Sequence, residues 1–256
     1  MNTESANEIV WVESTGSTNS LLLEMVAAGD AGERLFGVAT HTQTAGRGQR
    51  GNSWESEPGK NLTMSLLIRR PGVDAGAQFS ISEVVSLAVV DALRRIVPSG
   101  GISVKWPNDI YAGDMKICGI LIECALSGRE ILHAVAGIGV NVNQRVFRSD
   151  APNPVSVVNL SGVENSVEAL GRDIAARVAA MLPLLATSAG RDIIHERYIG
   201  ELWRKEGYYP YLETATGRRI MARITQVAPT GHITLDTDDG SRKVYAFKEV
   251  AALLEN

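Results

Sequence analysis

Cysteine and histidine are scarce in this 256-residue chain, which has two of the first and four of the second. Cys118 and Cys124 fall six residues apart in one predicted strand and so share a face. They are expected to be reduced core residues rather than a disulfide or a metal pair. His41, His133, His195 and His232 are scattered without metal-ligand spacing and read as structural or surface residues. Basic excess is lacking too: the net charge is −4, against the positive balance or stripe of a nucleic-acid binder. No N-terminal stretch has the charged, apolar and cleavable pattern of a signal peptide, and no unbroken apolar run reaches the roughly 18 residues that cross a bilayer. The expectation is a cytoplasmic protein that engages neither DNA nor membrane.

What is present is ordinary globular material, 45% hydrophobic and 21% charged, enough for one large domain with a small appendage. Strands are predicted at 8–12, 35–40, 61–68, 102–106, 117–124 and 131–138. In the third of these Leu62, Met64, Leu66 and Ile68 repeat with period two, the mark of a half-buried strand. Helices are predicted at 17–30, with Ser17, Thr18 or Asn19 as cap and Gly29 at the end, and at 80–97, where Ser80 and Glu83 have capping-box spacing. Two further amphipathic segments, 166–186 and 189–203, read as helices. After Gly207 short alternating strands separated by Gly-containing turns suggest a small β-barrel. The division expected is 1–206 and 207–256.

Residues 44–54, TAGRGQRGNSW, contain G-x-G-x-x-G at Gly46, Gly48 and Gly51, and come one residue from a P-loop with Asn52 in place of its lysine. Both nucleotide motifs need a helix to start in the glycines, so that its N-terminus meets the phosphates. Here NSWESEPGKN follows, with Pro58-Gly59 and no helical period. What survives is a loop between strands in which glycines admit a close ligand and Arg47 and Arg50 suit phosphate or carboxylate oxygens. In VKWPNDIYAGDMKICGILIE (104–123) Pro107 stops a strand, Asn108-Asp109 is read as a turn, and Lys116 starts the next strand, so that Lys105 and Lys116 meet at one end of a hairpin. GIGVNVN (137–143) adds glycines and asparagines at a strand end.

Taken together, STN (17–19), QTAGRGQRGNSW (43–54), KWPND (105–109), KICGILIE (116–123) and GIGVNVN (137–143) resemble the biotin protein ligases, in that order and spacing. The resemblance is to the monofunctional type, without the N-terminal DNA-binding module of some members. It implies an α+β fold: a mixed β-sheet flanked by helices, of the class II aminoacyl-tRNA synthetase kind, with a small C-terminal SH3-like β-barrel. It implies biotin and Mg²⁺-ATP as small molecules, a biotinyl-adenylate intermediate, and as partner the biotin carboxyl carrier protein of acetyl-CoA carboxylase or a related carboxylase. Homodimers occur in the family.

Residue by residue, the resemblance puts Ser17, Thr18, Asn19 and Gln43 on the ureido ring, with Gly46, Arg47, Gly48, Lys116 and Gly119 around biotin. Trp54, Arg47, Arg50, Lys116 and Asn141 fall to the nucleotide. Lys116 and Arg47 are the expected catalytic groups, and Lys105, Asn108 and Asp109 fall in the site without a fixed role. Many members have an arginine where this chain has Gln49, which leaves the second phosphate contact to Arg50. The glycine-rich loop is expected to order on ligand. Lipoate and octanoate ligases of the related fold carry an RR..GGG loop that this sequence lacks.

Overall fold

The computed structural model describes residues 7–31, 35–49, 53–149 and 152–254. Along the chain lie β1 (Asn7–Thr15), α1 (Thr18–Ala28), β2 (Leu35–Gln43), β3 (Leu62–Arg69), α2 (Phe79–Ile96), β4 (Ile102–Lys105), β5 (Asp109–Ala112), β6 (Met115–Ser127) and β7 (Glu130–Val140). After them come α3 (Val157–Ser161), α4 (Val167–Met181), α5 (Ser188–Gly200), β8 (Tyr209–Glu213), β9 (Arg218–Val227), β10 (Ile233–Thr237), β11 (Arg242–Tyr245) and β12 (Val250–Ala252). The first seven strands form one sheet in the order β1-β2-β3-β7-β6-β5-β4. Only β1 and β2 run parallel, joined through α1, so the sheet is mixed. The last five form a separate antiparallel sheet, β11-β10-β9-β8-β12, the small β-unit that the turn-rich C-terminus suggests.

Helix α2 explains where the core sits. Thirteen of its eighteen residues are buried, and a helix apolar on nearly all sides has to be covered on all sides. It packs with α4 and α5 on one face of the large sheet, against Leu62, Met64, Leu66 and Ile68. The stretch 75–96 is long and apolar enough to span a bilayer by length and composition, but 72% of its most apolar window lies inside the fold, as in a core helix. The other face is covered by the shorter α1, whose Leu22 meets Val38, Leu67 and Val135. Strand β3 is therefore covered on both sides, not half-buried: Thr63 and Ser65, on the face away from α2, are as buried as its leucines. Cys118 and Cys124 are unpaired thiols on the α2 side, and burial raises both pKa values.

Two local expectations are corrected. Ser80 and Glu83 form no capping box: α2 starts a residue earlier, at Phe79, after a 3₁₀ turn capped by Asp74, and the Ser80 hydroxyl donates to the Ala77 carbonyl. Glu83, left free of that duty, is buried against α5, where its Oε1 lies 2.6 Å from His195 Nδ1. The segment 166–186 is α4 followed by a 3₁₀ turn from Leu182, because Pro183 has no N–H to continue the helix.

His195 also hydrogen-bonds the main chain of Val227 in β9, so it ties α2, α5 and the C-terminal sheet together. The bond to Glu83, with help from Val227, raises its pKa above 6.5 in spite of burial. A raised histidine pKa contributes stability that is full below the unfolded value of 6.5 and lost as pH climbs through the folded one. The urea midpoint should therefore fall from about pH 6 to about pH 8, and His195→Gln should flatten that slope. Equal slopes in the two proteins would refute the assignment. Nearby, Trp106 Nε1 donates to the Gly231 carbonyl at 2.9 Å. Gly231 has φ +86°, and a Cβ there would stand 2.8 Å from the Phe79 ring, so this turn of the C-terminal sheet requires glycine.

Candidate active site

A cavity of about 1090 Å³ opens on the α1 side of the large sheet and extends to the C-terminal sheet. That is slightly above the usual range for ligand sites, about 300–1,000 Å³. Its floor is made by subtraction. Gly119 of β6 stands opposite Gly139 of β7, and Gly137 lies one residue pair further along the same face, opposite Leu121. Missing side chains at these positions let other groups lie on the sheet. A Cβ at Gly137 would come 2.4 Å from Asn19 Oδ1, and one at Gly139 would come 2.5 Å from Trp54 Cε2.

The end of the cavity nearest α1 is neutral and rich in both donors and acceptors. Ser17 is the N-cap residue by backbone geometry, but its hydroxyl makes no capping bond. The cap is supplied instead by Gln43 at the end of β2, whose Oε1 accepts from Thr18 N–H at 2.9 Å. This substitution of one cap for another leaves the Ser17 side chain lining the cavity. Ser65, fully buried on β3, donates to Asn19 Oδ1 (2.5 Å), and its oxygen lies 2.8 Å from the Thr18 hydroxyl, from which it can accept. Asn19 Nδ2 donates in turn to Glu123 Oε2 at 2.7 Å.

The middle of the cavity is cationic. Asp109 is the first residue of β5 and not part of a turn, as its position after Asn108 suggested. The turn lies over 106–108, and a second one at 113–114 leads into β6. Two consecutive hairpins therefore bring Lys105 opposite Asp109 and fold Lys116 back onto the same strand. Lys116 Nζ is 2.7 Å from Asp109 Oδ1 and 5.9 Å from the Trp54 ring centre. Lys105 sits 5.0 Å over the Tyr111 ring. Burial pushes its ammonium below the usual lysine range, Asp109 opposes that, and Lys116 and Arg204 add to it. The two lysines do meet, though by two turns where one was expected.

The glycine-rich loop closes at its base through an Arg47–Ser53 bridge and a bond from Trp54 N–H to the Gly46 carbonyl at 3.0 Å. A Cβ at Gly46 would strike that Trp54 carbonyl at 2.6 Å. Arg47 reaches Ser20 Oγ (3.2 Å) and Glu123 Oε2 (3.3 Å), and Gly48 and Gln49 line the cavity. Arg50, Gly51 and Asn52 lie outside the described residues, so the reading of Arg50 as a phosphate contact has no geometry to report. Trp54 rests on the floor glycines with its Nε1 buried and unpartnered.

Asn141 and Asn108 are both buried. The Asn141 Nδ2 is committed to the Val155 carbonyl at 3.0 Å, and the Asn108 Nδ2 to that of Ile120. Their amide N–H groups thus hold main chain at the cavity wall. Glu123, Ser65 and Tyr111 were not singled out from the sequence, and neither were Phe247 and Lys248 of the C-terminal unit, which line the far wall. Glu123 is the last letter of KICGILIE, the one acid of that string, and that was the signal available. Among the described residues no group of three or more His, Cys, Asp and Glu is placed to hold a metal.

The biotin/lipoate A/B protein ligase model matches residues 11–141, half of the chain. The chain belongs to that family. It is 32% identical over 196 residues to the bifunctional ligase/repressor BirA of Escherichia coli, covering 77% of this chain and 54% of that one. It is 35% identical over 151 residues to the biotin–[acetyl-CoA-carboxylase] ligase of Mycobacterium tuberculosis, covering 58% and 54%. It thus spans about half the length of these curated relatives.

The fold is that of the biotin protein ligase of Aquifex aeolicus, solved with biotin and ATP. The TM-score is 0.76 at 21% identity, covering 97% of this chain and 99% of that one. The Leishmania major biotin protein ligase solved with biotinyl-5-AMP is similar at a TM-score of 0.65 and 20% identity, covering 93% and 98%. These neighbours bear out the expected α+β class.

Proposed function

We propose that this chain attaches biotin to a lysine of a biotin carboxyl carrier protein through a biotinyl-adenylate made from ATP. The observation that carries the reading is the pairing, in one cavity, of a neutral donor–acceptor pocket at the head of α1 with the cationic Lys116–Asp109–Lys105 group. A ureido ring presents a carbonyl acceptor and two N–H donors, which the Ser17 hydroxyl and the amides of Asn19 and Gln43 can match without any charge. The floor glycines let Asn19 and Trp54 lie close against the sheet, and the ring system and its chain would lie against these two side chains.

In the first step a biotin carboxylate oxygen attacks the α-phosphorus, and the bond to the leaving pyrophosphate breaks. Negative charge grows on the α-phosphate oxygens, and Lys116 is the ammonium that meets it. Asp109 holds Lys116 in place, and Lys105 adds a second positive charge. Arg47 leaves Glu123 for a phosphate oxygen, and Trp54 shields the anhydride from water. In the second step the neutral amine of the carrier lysine attacks the acyl carbon, AMP leaves, and the proton of the amine is lost as the amide forms. Asp109 is the carboxylate that orients that amine.

Magnesium is usually held by one or two carboxylates together with substrate phosphates. The side chains here do not by themselves fit it, since Asp109 is committed to Lys116. We assign this chemistry to residues 1–206 and a supporting wall to 207–256, in the cytoplasm and without DNA. The test is pyrophosphate exchange into ATP driven in parallel by biotin and by lipoate. Exchange with biotin alone supports the reading, and exchange with lipoate alone refutes it.

A further inference from the structure

One carboxylate links the neutral end of the cavity to the glycine-rich loop. Glu123 Oε2 accepts from Asn19 Nδ2 at 2.7 Å and from Arg47 NH2 at 3.3 Å. Asn19 is almost wholly buried, whereas Arg47 and Glu123 are partly open to solvent. A carboxylate only accepts, so the group that faces it must be the NH₂ end of the Asn19 amide. This choice turns Oδ1 the other way, onto the Ser65 hydroxyl and the floor at Gly137. The polarity of Asn19, and so which edge of a ring it can recognise, is thus set mainly by a residue 104 positions away, with a longer bond of 3.5 Å from the same Nδ2 to the Leu121 carbonyl. The same Glu123 oxygen holds Arg47 at the base of the glycine-rich loop.

We propose that Glu123 is a positioning residue that fixes the Asn19 amide for the ring subsite and anchors Arg47 over the cavity, a role that rests on the function proposed above. The two duties need different things from it. Orienting Asn19 needs only an acceptor, which a glutamine carbonyl supplies. Holding a guanidinium needs the charge, because hydrogen bonds to charged groups are about twice as strong as neutral ones. Glutamine and alanine therefore separate the duties.

The experiment measures biotin affinity by calorimetry without ATP, and the KM for ATP in biotin-dependent exchange, for wild type, Glu123→Gln, Glu123→Ala, Asn19→Ala and the double alanine variant. Glu123→Ala should bind biotin about tenfold more weakly, the usual effect of losing a bond to a charged partner. It should add almost nothing in the Asn19→Ala background, since the pair acts as a unit. Glu123→Gln should restore biotin affinity to near wild type and yet leave the KM for ATP shifted.

A merely structural role would lower biotin and ATP parameters together with the melting temperature and show no rescue by glutamine. Wild-type biotin affinity in Glu123→Ala, or losses that add in the double variant, would overturn the proposal alone. Wild-type protein that does not bind biotin would overturn it together with the function on which it rests.

Discussion

Lys116→Ala is expected to abolish adenylate formation while biotin still binds. Removing a single donor aimed at growing transition-state charge typically costs about 10²–10³ in rate. Here the loss should exceed that, because the deletion also strands a charge. Asp109 lies 2.7 Å from Lys116, and both side chains are mostly screened from solvent. Without its partner the carboxylate would face the phosphates of ATP with an unneutralised negative charge. Asp109→Asn added to Lys116→Ala should therefore recover part of the lost ATP affinity and the excess part of the rate loss, leaving the loss of about 10²–10³ due to the missing donor. Pyrophosphate exchange reads the rate and calorimetry reads the biotin affinity. Normal exchange by Lys116→Ala would show that the lysine has no part in the chemistry.

The second large effect is expected at the floor. Gly137→Ala would put a methyl carbon 2.4 Å from Asn19 Oδ1, a distance that side chains essentially never tolerate. Asn19 has little freedom to yield, because Ser65 holds one end of its amide and Glu123 the other. The strain is that of an overpacked site, about 1–3 kcal/mol, and it falls on the recognition residue itself. Biotin affinity should drop by about a hundredfold, well beyond the loss of one neutral hydrogen bond. Gly119→Ala is the control: its Cβ would stand 3.0 Å from Trp54 Cζ3, so it should displace the indole and spare the ring pocket. Equal biotin affinity in Gly137→Ala and wild type would contradict the placement of the ring beside Asn19.

The parts of the molecule legible in the sequence are those fixed by local rules. Gly29 ends α1 in the left-handed conformation that glycine accepts most easily. The failure of the glycine-rich segment to be a P-loop followed from the proline and glycine after it, and among the described residues no α-helix lies between it and β3. The errors come from bonds made across long stretches of chain. Ser17 was a fair candidate to cap α1, but its hydroxyl makes no capping bond, and Gln43, 25 residues beyond Thr18, accepts the Thr18 N–H instead. Glu83 has capping-box spacing and bonds His195, 112 residues away, instead.

Strand β5 was hidden because Asn108-Asp109 is a strong turn pair. It is the turn at 106–108 that ends the neighbouring strand, and Asp109 already belongs to the ladder opposite Lys105. Glu123 lies in the apolar run GILIECAL, where nothing local separates an acid on the ligand face from one on a solvated face. Only the fold brings Asn19 and Arg47 to it.

The central claim, transfer of biotin to a carrier lysine by way of ATP, is tested most directly by mass spectrometry of a purified biotin carboxyl carrier domain incubated with this protein, biotin and ATP. The account predicts a gain of one biotinyl group on a single lysine, dependent on ATP and lost in Lys116→Ala. An unchanged carrier mass with wild-type protein, or modification by lipoate in place of biotin, would contradict it.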